Sequence, residues 1–407
     1  MKETVLLSRS KDRAHEWLFM FLLLGTSIFF YACSVEPSQN VKVPVTAHVP
    51  ENSANISNDF VARAKYQVEQ AITPAVVWDG PTSGPFAQQN KLIVYVASDL
   101  SNGSVLEVSQ GVLAAGEAIG WEIRVLDGQG TAPGRRMAFE AAISQQPHGI
   151  IMSGYNAQEH ADLLESANAQ GIVLVGWHVA NNPGPMTDLP IFANVTSSLE
   201  DMAEIAALFA ISDSEGEGGI IIFTDLNHDQ AFAKTKLVKE IIDACEGCNI
   251  LAIEDVSATS STAQMSARIT ELSNKYGSSW DYSLGINDQF IESNLQSIHL
   301  AFDATGHEPK NLFVGDITLS SYERLQEYVG QAGMMPEPLR LHGWQIVDEL
   351  NRAFAGESWS GYVTPVHLVM SSNRNPSSGT FTAYDPQNGY QEAYKKIWSG
   401  EALVEAN

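Results

Sequence analysis

The chain has 407 residues, of which 44% are hydrophobic and 17% are charged, and its formal net charge at pH 7 is −25. This length exceeds what one ordinary hydrophobic core occupies, so two folded units are expected. A surface this acidic repels nucleic-acid phosphates and anionic membrane surfaces, so we expect no nucleic-acid partner.

The first 32 residues have the pattern of a secretory signal peptide. Basic side chains precede the apolar run "WLFMFLLLGTSIFFYA", which ends at Cys33. The run is shorter than the roughly 20 residues that span a bilayer. A cysteine directly after such a run resembles a lipoprotein signal, which predicts lipidation of Cys33 and a periplasmic protein anchored to the membrane through that lipid. Cleavage to a soluble exported protein and an uncleaved anchor are the alternatives.

Residues 33–90 are predicted to be a tether and lead-in, because they are rich in proline, serine, asparagine and threonine. Within them only 59–72 has the pattern of a short helix. Order begins at "KLIVYVASD" (91–99), a β-branched apolar run typical of a buried strand. The following stretch, 105–120, carries its apolar residues on one helical stripe, which predicts an amphipathic helix.

Strands and helices alternate from there to about residue 316. The further predicted strands are 122–127, 149–153, 172–177, 218–225, 249–256, 281–288 and 311–316. The further predicted helices are 134–145, 157–169, 198–211, 229–244, 261–276 and 289–304. Right-handed crossovers between such strands predict an α/β fold with two similar doubly wound parallel-sheet lobes, and the break lies near Asn194.

Cys245 and Cys248 lie in "DACEGCN", after a predicted helix. A redox pair of this spacing requires its first cysteine at a helix N-terminus, where the helix dipole lowers the thiol pKa. We therefore interpret the two residues as a structural disulfide or two idle thiols. No second cysteine pair or nearby histidine pair accompanies them, so no metal site is predicted.

The sequence carries no recognisable catalytic motif. GxSxG, HExxH and GxxxxGK[ST] are all missing, and no cysteine lies near an evident base. We expect a protein that holds a solute, not an enzyme, and one that needs neither a cofactor nor a metal.

From about 91 to 370 the chain resembles the type I periplasmic solute-binding proteins, the ribose- and galactose-binding branch that serves ABC importers. The stretches that carry the resemblance are "KLIVYVASDLSNGSVLEVSQGVLAAGEAIGWEIRVLDGQG", "LGINDQF", "LFVGDI" and "GWQIVDELNRAFAGE". The resemblance implies solute clamped between two lobes that are joined by a three-crossing hinge, with crossings near 194–196, 333–336 and 362–366. The implied divisions are 91–194 with 336–363 for lobe 1, 195–335 with 364–385 for lobe 2, and 386–407 for a C-terminal tail helix.

Ligands of parallel sheets bind beyond the carboxyl ends of the strands. The strand-end residues and the positions implied by the resemblance give one set of predicted ligand-binding residues: Asp99, Ser101, Asn102, Tyr155, Asn156, Trp177, His178, Phe232, Lys234, Asn287, Asp288 and Asp316. Turn formation is the alternative for Asp99 and Asn102, and helix capping is the alternative for Asn287 and Asp288.

The largest departure from the resembled family is Trp177-His178, since its sugar binders commonly place Asp-Arg at this strand end. An indole offers a flat apolar face and an imidazole offers one donor and one acceptor. The pair predicts a neutral solute with a stackable face, such as a modified or deoxy sugar, a nucleoside-like ring or another small cyclic metabolite. In the alternative, Trp177 packs on its lobe and His178 caps the following turn.

These features predict a monomeric extracytoplasmic protein that captures a small neutral solute, a sugar or sugar-like ring, and delivers it to an ABC transporter permease. A sensor of the same shape, which signals to a membrane histidine kinase or chemoreceptor, is the alternative. A LacI-like regulator shares these lobes but would need an N-terminal helix-turn-helix, which residues 1–90 do not supply.

Overall fold

The computed structural model describes residues 60–226, 229–256, 262–286, 295–302, 306–314, 322, 325, 331–371, 384–401 and 403. The predicted signal peptide and Cys33 lie outside these ranges. Within them, no helix combines the length and the apolar character that crossing a bilayer requires.

Five parallel strands form the first sheet. They are β1 (Leu92–Ala97), β2 (Glu122–Asp127), β3 (Gly149–Ser153), β4 (Val173–Trp177) and β5 (Ala193–Val195), in the spatial order β2-β1-β3-β4-β5. The central strands β1 and β3 are buried along almost their whole length, because helices cover both faces of the sheet.

Four helices pack on the first sheet. They are α2 (Gly103–Ile119), α3 (Ala132–Ser144), α4 (Ala161–Ala169) and, from late in the chain, α9 (Leu339–Ala355). One face is covered by α2 and α9, and the other by α3 and α4. The apolar stripe predicted for α2 is buried. A Cβ atom on Gly111 of α2 would lie 2.5 Å from the carbonyl oxygen of Arg340 in α9, so glycine is required where these helices touch.

Within the described residues, six strands form the second sheet. They are β6 (Gly219–Thr224), β7 (Asn249–Asp255), β8 (Tyr282–Gly285), β9 (Lys310–Val314), β10 (Gln331–Met335) and β11 (Val369–Met370), in the order β11-β10-β9-β8-β6-β7. All neighbours are parallel except β11, which is antiparallel to β10. The helices around it are α1 (Phe60–Ile72), α5 (Leu199–Asp213), α6 (Asp229–Asp243), α7 (Thr262–Tyr276) and α8 (Leu295–Phe302).

The predicted fold class, two α/β lobes with parallel sheets, is confirmed. The short strands β5, β10 and β11 were not among the predicted elements. The chain also extends the lobes at its two ends. Buried residues of α1, at the position of the predicted short helix, belong to the second core, and a last helix, α10 (Tyr390–Ser399), belongs to the first.

Candidate functional site

Between β1 and β11, three segments of the described chain pass from one lobe to the other. The first crossing, 196–198, joins β5 to α5. The second crossing, 336–338, joins β10 to α9. The third crossing, 356–368, joins α9 to β11. The carboxyl end of β4 lies beside them, because β4 is the neighbour of β5 in the first sheet.

Trp177, the last residue of β4, is a core residue in this structure. Its side chain is 2% exposed, and its ring stacks on that of His178 with centroids 4.0 Å apart and planes 15° from parallel. The indole Nε1–H donates a hydrogen bond to His342 Nδ1 at 3.1 Å. Because the indole donor and one ring face are used inside the protein, the geometry favours the packing alternative for Trp177 over stacking on a solute.

His342 continues this chain of hydrogen bonds. Since its Nδ1 accepts from Trp177, its Nε2 carries the proton and donates to Thr364 Oγ1 at 2.8 Å. The imidazole is fully buried in α9, and burial lowers its pKa to about 4 although the nearby Glu337 carboxylate opposes that shift. A neutral ring with one donor and one acceptor is the form that both hydrogen bonds require.

His178 leaves β4 in the left-handed region of backbone space, with φ of 53°, a conformation that non-glycine residues adopt rarely. Its Nε2 lies 3.1 Å from Oε1 and 3.0 Å from Oε2 of Glu337. The backbone N–H of Ser197 donates to the same carboxylate at 3.2 Å. His178 therefore contacts the second crossing.

Glu337 is a buried carboxylate with two partners. Burial by itself raises its pKa, but attraction to His178, the hydrogen bond from His178 and the proximity of His342 together hold the pKa well below its usual range. The hydrogen bond from the Ser197 N–H acts in the same direction. Glu337 is therefore ionised throughout the physiological pH range.

These contacts form a single polar cluster, which we call the hinge network: Trp177, His178, Ser197, Glu337, His342 and Thr364. It connects the end of β4 to all three crossings, through Ser197 in the first, Glu337 in the second and Thr364 in the third. Sequence reasoning missed Ser197, Glu337, His342 and Thr364. The one local signal was a carboxylate between two prolines, "PEP" (336–338).

The predicted ligand residues of the first strand end all lie in the loop between β1 and α2. Asp99 Oδ1 accepts hydrogen bonds from the backbone N–H and the hydroxyl of Ser101, at 2.8 and 2.7 Å, and these lower the pKa of Asp99. Asn102 caps α2 by accepting from Ser104 N and Val105 N. Asp99 therefore stabilises the turn, and Asn102 caps the helix. Asp99 Oδ2 is directed toward Gly130 on the neighbouring loop.

At the end of β3, Tyr155 and Asn156 differ in their surroundings. Asn156 caps the short 3-10 helix that follows, accepting from Gln158 N at 2.9 Å. Tyr155 is buried, with the Arg135 guanidinium 5.5 Å from its ring centroid. Burial raises the pKa of its hydroxyl, and that hydroxyl has no hydrogen-bond partner among the described residues.

In the second lobe, the structure describes two of the predicted site residues, and both lie on α6. Lys234 is 8% exposed and its Nζ donates to the carbonyl oxygen of Val314, the last residue of β9, at 3.3 Å. No carboxylate within the described ranges forms an ion pair with it. Phe232, by contrast, is 54% exposed. The remaining predicted residues, Asn287, Asp288 and Asp316, lie outside the described residues.

Cys245 and Cys248 form a disulfide just after the C-terminal end of α6. Their position at that end of the helix is the one the sequence indicated. Among the residues that the structure describes, no three histidine, cysteine or carboxylate side chains are grouped so as to hold a metal ion.

Comparison with known proteins identifies the family. The model of the periplasmic binding protein domain matches residues 93–358, a range that includes strands of both sheets and the first two crossings. The chain belongs to the periplasmic binding protein family. Membership of this family implies an extracytoplasmic location. No curated protein matches the chain in sequence.

Several solved periplasmic binding proteins share the fold. An ABC transporter solute binding protein from Agrobacterium vitis with bound allitol is 17% identical, with a TM-score of 0.57, over 70% of this chain and 96% of that chain. One from Bacillus halodurans with bound myo-inositol is 18% identical, with a TM-score of 0.56, over 72% of this chain and 97% of that chain. A chain of the XylFII-LytSN complex is 13% identical, with a TM-score of 0.55, and the match covers 70% of this chain and 100% of that chain. At these identities the similarity shows the fold alone.

Proposed function

We propose that this protein captures a small neutral polyhydroxylated solute, a sugar or sugar-like ring, between its lobes and delivers it to the permease of an ABC transporter. The observation that carries the proposal is the family match over 93–358. Two structures of the same fold, which hold allitol and myo-inositol, support the choice of solute class.

The proposed solute site lies at the carboxyl ends of the strands, with contributions from both lobes. Its members are Asp99, Ser101, Asn102, Tyr155 and Asn156 from lobe 1, and Phe232, Lys234, Asn287, Asp288 and Asp316 from lobe 2. Carboxylate, amide and hydroxyl groups beside the buried Lys234 ammonium can exchange hydrogen bonds with several solute hydroxyls. Trp177 and His178, in this proposal, act on the hinge and not on the solute.

The same proposal includes the boundaries of the lobes, the membrane anchor and the choice of transport over sensing. Lobe 1 comprises 91–194 and 336–363, and lobe 2 comprises 195–335 and 364–385. A lipid on Cys33 anchors a monomeric protein to the membrane through the tether and lead-in, 33–90. The XylFII-LytSN complex shares the fold only, so nothing favours the sensor alternative over transport.

The proposal is tested by thermal unfolding of the mature protein in the presence of hexitols, inositols, aldoses and nucleosides. A cognate solute present at about a hundredfold excess over Kd adds about 2.7 kcal/mol to the free energy of unfolding. We expect the melting temperature to rise with at least one polyol or sugar. If only nucleosides raise it, the solute class is wrong, and if none of the compounds does, the proposed capture of sugar-like solutes fails.

Replacement of Lys234 with methionine tests the second-lobe half of the site. Methionine keeps the unbranched side chain as far as Cε and removes the ammonium, so solute affinity measured by calorimetry is expected to fall at least tenfold, the equivalent of about 1.4 kcal/mol. Lys236→Met is the matched control, because Lys236 lies on the same helix with its side chain 68% exposed. Equal affinities for the two variants would remove Lys234 from the site.

A further inference from the structure

The N-terminal lead-in is fixed to the second core by α1. Ala64, Val68 and Ala71 are buried against α5 and the sheet behind it. Two polar contacts add to this attachment, from Lys65 Nζ to Glu215 at 2.6 Å and from Gln67 Nε2 to Glu204 Oε1 at 3.0 Å. This end of the lead-in belongs to lobe 2.

A few residues later the same segment is fixed to the first core. The ring of Trp78 lies 5.3 Å from that of Tyr362 and 5.2 Å from that of Tyr394 in α10. The buried side chain of Asn351 in α9 then holds the backbone on both sides, donating to Pro85 O at 3.0 Å and accepting from Gln88 N at 2.9 Å. This end of the lead-in belongs to lobe 1.

Residues 73–77 therefore pass from one lobe to the other, and we call them the strap. They run beside the third crossing in the opposite direction. Ala71 O accepts from Leu368 N at 2.8 Å, and Asp79 Oδ1 accepts from Tyr362 OH at 3.0 Å. The strap itself is open to solvent, with Val76 69% and Val77 59% exposed.

We infer that the strap is an additional hinge connection that limits how far the lobes separate. The first and second crossings are short, whereas the third runs from the end of α9 to β11 as a long irregular segment. A long segment alone restrains the lobes less than a short one, because its maximum extension grows with the number of residues, by about 3.3–3.6 Å each. The strap spans six Cα–Cα steps between Ile72 and Trp78, at most about 20 Å when fully extended.

Restraint by the strap acts on the ligand-free protein. A solute-binding protein closes from an ensemble of open forms, and an ensemble with a narrower range of lobe separations loses less freedom when it closes. A strap that narrows this range therefore favours solute capture without contacting the solute. This inference rests on the proposed two-lobe closure but not on the identity of the solute.

The strap is tested by lengthening it. Short and long glycine–serine inserts are placed between Val76 and Val77, in the full chain carrying Cys33→Ser, Met137→Cys and Leu300→Cys. Met137 in α3 and Leu300 in α8 are exposed positions on the two lobes, so spin labels there report the distance between the lobes. In the ligand-free protein we expect the distance distribution to broaden with insert length and the radius of gyration from scattering to rise.

The same inserts at Gln146 serve as the control, because this residue lies in an exposed turn between α3 and β3, away from every crossing. The control proteins should keep the parent distribution. If the strap inserts also leave the distribution and the radius of gyration unchanged, the strap restrains nothing and the inference is wrong. Because no solute is added, this result is independent of whether sugars or polyols bind.

Discussion

Glu337→Ala is expected to reduce the free energy of unfolding at pH 7 by about 3 kcal/mol, because it leaves buried groups that hydrogen-bond to an ionised carboxylate without a partner. In the parent protein the His178 imidazole and the Ser197 N–H both contact the Glu337 carboxylate. In the variant both groups face a cavity instead. It also detaches the second crossing from the end of β4. Urea unfolding of the ligand-free protein measures the loss.

Glu107→Ala is the matched control for this measurement. Glu107 pairs with Arg340 at 2.8 Å between α2 and α9, but both side chains are partly exposed, at 29% and 45%. Water and salt screen such a pair, so its loss should cost at most about 1 kcal/mol. A third variant, Glu337→Gln, keeps an acceptor for Ser197 N and removes the charge. We expect an intermediate loss. Equal losses for Glu337→Ala and Glu107→Ala would show that the hinge network does not stabilise the fold.

The alternation of strands and helices was readable from the sequence because it depends on local patterns. Buried strands such as β1 and β6 are continuous apolar runs, and the α2 stripe repeats with the period of a helix. The strands that escaped prediction lack such patterns. The three residues of β5 are too few to show one. In "QAGMM", the sequence of β10, a glycine interrupts the run and no residue is β-branched.

The hinge network escaped prediction for a different reason. Its contacts join residues far apart in the chain, with Ser197 and Glu337 separated by 140 positions and Trp177 and His342 by 165. No periodic pattern in the sequence predicts a contact between residues so far apart in the chain. Position at the end of a strand drew attention to Trp177 and His178, but ligand loops and hinge segments both occupy such positions. Only the three-dimensional contacts distinguish the two roles.

His342 makes the stability of the protein sensitive to acid, with a sign that follows from its burial. Burial lowers the pKa of His342 from 6.5 to about 4. Between these values the unfolded chain binds a proton at this position and the folded chain does not, so stability rises with pH through this window and is lost as the pH falls. One pKa unit corresponds to about 1.4 kcal/mol, so His342 contributes a loss of about 3 kcal/mol between pH 6.5 and pH 4.

His342→Gln should flatten this slope. Glutamine retains one donor and one acceptor for Thr364 and Trp177 but takes up no proton in this range. The carboxylate of Glu337 and the imidazole of His178 also face His342, and both are unchanged in the variant. His299→Gln, at a position 56% exposed, controls for the removal of one histidine. The free energy of unfolding, measured from pH 4 to pH 8, should depend less on pH in His342→Gln than in the parent and the control. If all three proteins show parallel pH profiles, the hinge histidine is not the group that acid titrates.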